Sequence, residues 1–167
     1  MRKTVRIAGL VIVMTTGLFF CHRRADVKEA AIATPVVNDY PYMKLVMPDG
    51  STRAARELPP KSILIVFFPD CDHCQREAAE ISSHAKAFEK YQVWFISTAT
   101  FADIDRFSKN YNLTGHSNIH FVRTMMPDIV NSFGSIPTPS VFIYSEEKRF
   151  VKAFKGETKI DEIIKFL

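Results

Sequence analysis

With three cysteines, Cys21, Cys71 and Cys74, the sequence has too few to staple a small fold with disulfides. Acidic residues are missing from the first 24 positions, where Arg2, Lys3, Arg6, Arg23 and Arg24 stand. Five charges of the formal net +4 therefore belong to that segment, and residues 25 to 167 carry −1. A body so close to neutral has no electrostatic footprint for nucleic acid, which is not expected as a partner. Internal repeats and low-complexity tracts are absent, and 47% hydrophobic with 24% charged residues over 167 positions excludes a disordered chain. What remains is one domain with a sizeable core and an unusual N-terminus.

That N-terminus contains an uncharged run, Ile7 to Cys21, behind a basic start and ahead of His22-Arg23-Arg24. As a helix these fifteen residues reach about 22 Å, short of the roughly 30 Å of a hydrocarbon core. Residues 1–24 are read as a signal or membrane anchor, or as a lipoprotein signal lipidated at Cys21. Against lipidation stand Phe19 and Phe20, bulky where a lipobox has small residues. Against clean secretion, the cleavage-like Ala31-Ile32-Ala33 lies beyond five charged residues. A buried N-terminal helix is the remaining reading. Anchor and lipoprotein both place the protein at a membrane, facing out of the cytoplasm.

Residues 25–41, polar and then bearing Pro35 and Pro41, read as a linker. The domain is expected over residues 42–167. Tyr42–Met47 and Ser51–Arg53 around Pro48-Asp49-Gly50 predict a β-hairpin. Ser62–Phe68 (SILIVFF) is a continuous apolar run, the pattern of a strand covered on both faces. A helix follows directly, from Asp72 to Tyr91, with Ala78, Ala79, Ile81, Ala85, Phe88 and Tyr91 at helical spacing. Gln92–Thr98 predicts a second buried strand, Asp103–Tyr111 a helix, Asn118–Arg123 a strand and Pro127–Phe133 a short helix. Ser140–Tyr144 and Arg149–Phe154 then form a strand pair, and Lys159–Leu167 a terminal amphipathic helix.

The chemistry-bearing motif is Cys71-Asp72-His73-Cys74, at the junction of strand and helix. There Cys71 meets the unpaired N–H groups and positive dipole end of the helix, which favour its thiolate, while Cys74 lies one turn further in. A thiolate at Cys71 attacks a disulfide, and Cys74 resolves the mixed disulfide. Three neighbours tune the pair. His73 favours the thiolate if it is charged or donates a hydrogen bond, whereas Asp70 and Asp72 oppose it. A carboxylate about 6 Å away at an effective dielectric of about 40 contributes roughly 1.4 kcal/mol, so this motif does not set the redox direction.

The same cysteines could instead hold a metal. Zinc would draw His116 and His120 to the pair, although the 41 intervening residues far exceed the spacing of a compact finger. Copper would use soft ligands, with Met125 and Met126 as further candidates. Both methionines also read as core filling, and His120 as a hydrogen-bonded strand residue. Pro137 and Pro139 mark either a rigid strand entry or, at Thr138-Pro139, a cis bond beside the cysteines.

Taken together, SILIVFFPDCDHCQRE, QVWFIST and IPTPSVFIYSEEKRFVKAFKG resemble the membrane-anchored periplasmic thioredoxins of the TlpA/ResA type, over Tyr42 to Leu167. The resemblance implies a thioredoxin-like α/β fold, a central mixed β-sheet flanked by helices with the hairpin as an N-terminal extension. It also implies Cys71 as nucleophile, Cys74 as resolving thiol, and Thr138 and Pro139, in cis, shaping the substrate groove. Asp70 stands where thioredoxins carry Trp, and Asp72-His73 replaces Gly-Pro, His73 being similar to the histidine of DsbA proteins. The central strand lacks the buried acid of thioredoxin, so the candidates for the base of Cys74 are Glu77, Glu80 and water, the alternative being a slow deprotonation. The expected activity is thiol-disulfide exchange on protein cysteines outside the cytoplasm, on the periplasmic side of a bacterial inner membrane or in an envelope lipoprotein. No metal and no cofactor beyond the Cys71–Cys74 disulfide is expected. Partners are cysteine-containing envelope proteins, a membrane electron donor, and the membrane through the N-terminus. The alternative is a copper- or zinc-handling module using the same pair.

Overall fold

The computed structural model describes residues 38–167. The signal or anchor segment, its Cys21 and most of the linker lie outside the described residues.

Apolar alternation in the strands builds two cores, one on each face of a single sheet. β3 (Ser62–Val66) is buried at every position. Ile63, Ile65 and the following Phe67 point to one face, Leu64 and Val66 to the other, as the two-residue period of a strand requires. β3 pairs in parallel with β4 (Gln92–Ser97), and β4 with β5 (Ile119–Arg123). On its other side β3 pairs antiparallel with β6 (Ser140–Tyr144), which turns back into β7 (Phe150–Lys155). The hairpin β1 (Lys44–Val46) and β2 (Thr52–Ala54) completes a mixed sheet of order β2-β1-β5-β4-β3-β6-β7. Its turn is fixed by Asp49, whose Oδ1 accepts the Ser51 N–H at 2.8 Å, and by Gly50 at φ +83°.

Three helices cover one face: α1 (Asp72–Ser83), α2 (Phe101–Asn110) and α4 (Ile160–Ile164). Between them and the strands, Phe67, Phe95, Phe107 and Phe121 form an aromatic cluster with centroid spacings of 4.7 to 6.4 Å. Each such pair adds about 0.5–1.5 kcal/mol beyond the area it buries. The opposite face is covered by α3 (Met126–Phe133) and by residues 40–58, around Trp94, Ile129 and Phe142.

Several ends shift by one to three residues, the terminal helix stopping at Ile164 and α2 starting at Phe101, and two further differences have a clear cause. The helix expected to run from Asp72 to Tyr91 breaks after Ser83, and residues 85–88 form a 3-10 turn. The His84 N–H still reaches the Glu80 carbonyl at 3.1 Å, with Ser83 Oγ and His84 Nδ1 crowding the same oxygen at 2.9 Å, and beyond it the Ala87 N–H turns to the His84 carbonyl at 2.9 Å, a three-residue spacing that ends the α-helix. The domain also starts before residue 42, since Tyr40 is 1% exposed and donates its hydroxyl to Pro59 O at 2.7 Å. Just before it, Asp39 binds Arg149 Nε (2.8 Å) and the Phe150 N–H (3.0 Å), and donates its own N–H to Lys148 O.

Candidate active site

The end of β3 delivers the chain through Pro69-Asp70 to Cys71, which caps α1 in an extended conformation (φ −86°, ψ 114°). Its Sγ accepts the Cys74 N–H at 3.4 Å, the role usually filled by a serine or aspartate oxygen. Gln75 braces the turn by donating Nε2 to Pro69 O at 2.9 Å. Cys71 is half-buried and Cys74 is 2% exposed, and both are free thiols.

Opposite them stands the loop before β6. The Thr138–Pro139 bond is cis, alone among the described residues, so Pro137 is not the cis proline. Thr138 O lies 3.6 Å from Cys71 Sγ, close enough to accept its S–H, and Thr138 Oγ1 is 3.9 Å from the same sulfur. Pro139 is buried and Pro137 exposed.

These surroundings drive the two thiols apart. Partial burial opposes charge on Cys71, but donors from Cys74, Thr138 and the His73 main chain outweigh it and lower its pKa. Cys74 is pushed up to about 12, chiefly by burial, with its hydrogen bond to Cys71 adding to the effect. Cys71 is therefore the more readily ionised of the two thiols, and Cys74 stays protonated until something removes its proton.

Of the two acids considered as base, Glu80 is exposed and Glu77 is 3% exposed. Glu77 is three residues beyond Cys74 on α1, which puts both on one helix face. Burial raises it to about 7, against the relief of the Thr158 N–H, which donates to Oε2 at 3.2 Å. Its Oε1 is buried without a hydrogen-bond partner. Glu77 also lines an open cleft of about 470 Å³ with Glu80, Glu157 and Lys159.

The other tuning candidates sit differently. Asp70 and Asp72 are exposed. The His73 ring makes no hydrogen bond to the Cys71 sulfur, whose partners are the Cys74 N–H and Thr138. Its Nδ1 lies 2.5 Å from Glu157 Oε2, and that carboxylate also takes two hydrogen bonds from Arg76, both 2.7 Å. Glu157 and Arg76 were not legible as site residues, because Glu157 follows β7, 84 positions from His73, and carries no local motif.

The zinc set does not assemble. His120 stacks on Trp94 (4.2 Å) and binds Gln92 Oε1 (2.8 Å), in the layer opposite that of Cys74. Among the described residues no three His, Cys, Asp or Glu side chains form a metal cluster. Met125 and Met126 are exposed, at 65% and 46%, and do not fill the core.

No protein-family model and no curated protein matches the chain. Solved structures do match. A secreted disulfide oxidoreductase of Mycobacterium tuberculosis, homologous to E. coli DsbE, is 19% identical with a TM-score of 0.61, over 74% of this chain and 92% of its own. StoA of Bacillus subtilis is 17% identical at 0.57, over 79% and 98%. Copper-bound ScoI of Arabidopsis thaliana is 16% identical at 0.58, over 74% and 91%. At such identities the likeness establishes the fold, which is thioredoxin-like.

Proposed function

We propose that this chain is a thiol-disulfide oxidoreductase acting on protein cysteines outside the cytoplasm. The observation that carries the reading is the split between the two thiols, an accessible Cys71 with a lowered pKa at the start of α1 and a buried Cys74 held at about 12. Cys71 thiolate attacks one sulfur of a substrate disulfide. The substrate S–S bond breaks, its other sulfur leaves as a thiolate, and a mixed disulfide forms. Cys74 then attacks Cys71 Sγ, breaking that bond, releasing the second substrate sulfur and closing the Cys71–Cys74 disulfide. Two electrons pass from the dithiol to the substrate, and an external dithiol donor at the membrane restores the pair. Run backwards, the same steps oxidise a substrate dithiol.

Glu77 is assigned as the base for Cys74. Once Cys71 is bonded to substrate, its charge and its demand on the Cys74 proton disappear, leaving burial as the main barrier to ionisation. A carboxylate at about 7 on the same helix face can then take that proton and pass it to the adjoining cleft. The substrate segment docks at Thr138-Pro139, whose main chain faces Cys71. Cysteine-containing envelope proteins are the proposed substrates. The basic-apolar N-terminus is the proposed attachment to the outer side of a bacterial inner membrane, as anchor or through lipid on Cys21. Among the described residues no helix is long and apolar enough to cross a membrane.

Trapping tests this. Cys74→Ser should accumulate a mixed disulfide with substrate through Cys71, and Cys71→Ser should not. Equal trapping by both variants contradicts the assignment. A second reading, copper handling by the same pair, is favoured by the copper in the ScoI neighbour. Two thiolates suit Cu(I), and copper retained stoichiometrically on purification and lost in Cys71→Ser would support it.

A further inference from the structure

The short segment after β7 touches three parts of the site at once. Gly156 donates its N–H to Pro139 O at 2.8 Å, Thr158 donates its N–H to Glu77 Oε2 at 3.2 Å, and Glu157 between them binds His73 and Arg76. Gly156 turns there at φ +89°, a conformation that disfavours any side chain. The main chain of Glu157 is thus pinned on both sides, and Arg76 fixes its carboxylate with a two-pronged pair, a geometry more specific than a single charge contact.

That carboxylate dictates where the imidazole goes. Arg76 Nη2 and Glu157 Oε2 both lie close to His73 Nδ1, at 2.7 and 2.5 Å. Arg76 carries only donors and Glu157 is an acceptor, so Nδ1 bonds the carboxylate when it bears a proton. Meanwhile Cys71 Sγ makes its hydrogen bonds with the Cys74 N–H and Thr138, and none with the ring. A cationic or hydrogen-bonding imidazole placed against Cys71 would stabilise the thiolate, and with it the dithiol form.

We propose that Glu157 is a positioning residue that holds the His73 imidazole away from the Cys71 sulfur and so biases the Cys71/Cys74 pair toward the disulfide, giving the protein the poise of a reductant. The proposal rests on the oxidoreductase reading. It deepens that reading by assigning the redox direction that the Cys71-Asp72-His73-Cys74 motif leaves open. The reaction is unchanged: two electrons leave the dithiol as the Cys71–Cys74 bond forms, and Glu157 alters only the equilibrium between the two states.

The test is equilibration of the full chain in glutathione redox buffers, with the Cys71 thiolate followed by its ultraviolet absorbance against pH. Glu157→Ala should shift the equilibrium about tenfold toward the dithiol, about 30 mV, and move the thiolate absorbance to lower pH. His73→Gln alone should leave the equilibrium within about twofold of wild type, because the ring is not at the sulfur to begin with. The double variant should lose the tenfold shift. A Glu157→Ala equilibrium that is unmoved or moved toward the disulfide overturns the proposal. So does a shift that persists in the double variant, since the carboxylate then acts through its field alone, and so does a large shift in His73→Gln, a variant that reads out even if Glu157→Ala folds poorly. A wild-type pair that forms no disulfide in these buffers defeats the oxidoreductase reading itself, an outcome distinct from all of these.

Discussion

Replacing Glu77 by Gln tests burial and chemistry together. The carboxyl is 3% exposed and burial raises it from 4.5 to about 7. A rise of that size means that folding is about 3 kcal/mol less favourable with the carboxyl ionised than with it protonated. Because the folded value is the higher, the stability linked to this proton is fully present below pH 4.5 and is lost as the pH climbs through about 7. Gln keeps an acceptor for the Thr158 N–H and does not titrate. The stability of Glu77→Gln relative to wild type should therefore grow by about 3 kcal/mol between pH 4.5 and 8. With a urea slope of about 2 kcal/mol/M, that is a relative movement of the midpoint of about 1.5 M. Urea titrations of both proteins at several pH values, kept reduced, measure it, and the carboxylates held low elsewhere, such as Asp39 and Asp103, cancel in the difference. The same variant should slow resolution by Cys74 by about 10²-fold or more, seen as accumulated mixed disulfide. Parallel stability curves would show that Glu77 ionises like a surface acid, and unchanged resolution would remove it as the base.

Three further outcomes are expected. Thr138→Val deletes the hydroxyl near Cys71 Sγ and should raise the Cys71 pKa, measured by thiolate absorbance, while leaving Cys74 trapping intact. Phe67→Ala removes a ring that touches Phe95, Phe107 and Phe121 and should cost about 3–5 kcal/mol in urea unfolding; a loss under 1 kcal/mol contradicts the aromatic cluster as a principal source of stability. Removal of residues 1–33, which carry the basic start and the apolar run, should abolish membrane fractionation and spare disulfide reduction; an unfolded product would mean those residues belong to the core.

Much of the architecture is written in local pattern. The run Ile63–Val66 has no polar interruption because a helix-covered layer lies on each side of it, and the alternation in Val141–Tyr144 serves the same two layers. The cysteine motif declared its place at a helix start because strand and helix periodicities meet there. The break at His84 stayed hidden, since Ala85, Phe88 and Tyr91 keep a helical spacing, and Phe88 in the 3-10 turn and Tyr91 just beyond it enter the same core as the helix. Tyr40 was also missed. A single aromatic in a proline-bearing stretch has no period to mark it, and its burial depends on Tyr144, more than a hundred positions away, at a centroid distance of 4.6 Å. The link from Glu157 to His73 is hidden for the same reason, for it exists only once β7 is laid beside β6 and returns the chain to α1.

The seating of Asp39 on the β6–β7 turn gives the domain two poles. Lys148 and Arg149 hold the incoming chain at the end of β6 remote from Pro139, so the five residues of β6, about 17 Å of strand, separate the point of entry from the cysteines. A copy coupled through its N-terminus to a resin, an electrode or a fusion partner would bear its load on the turn and leave the Cys71 end free to meet large folded substrates. Immobilised protein should therefore keep its turnover.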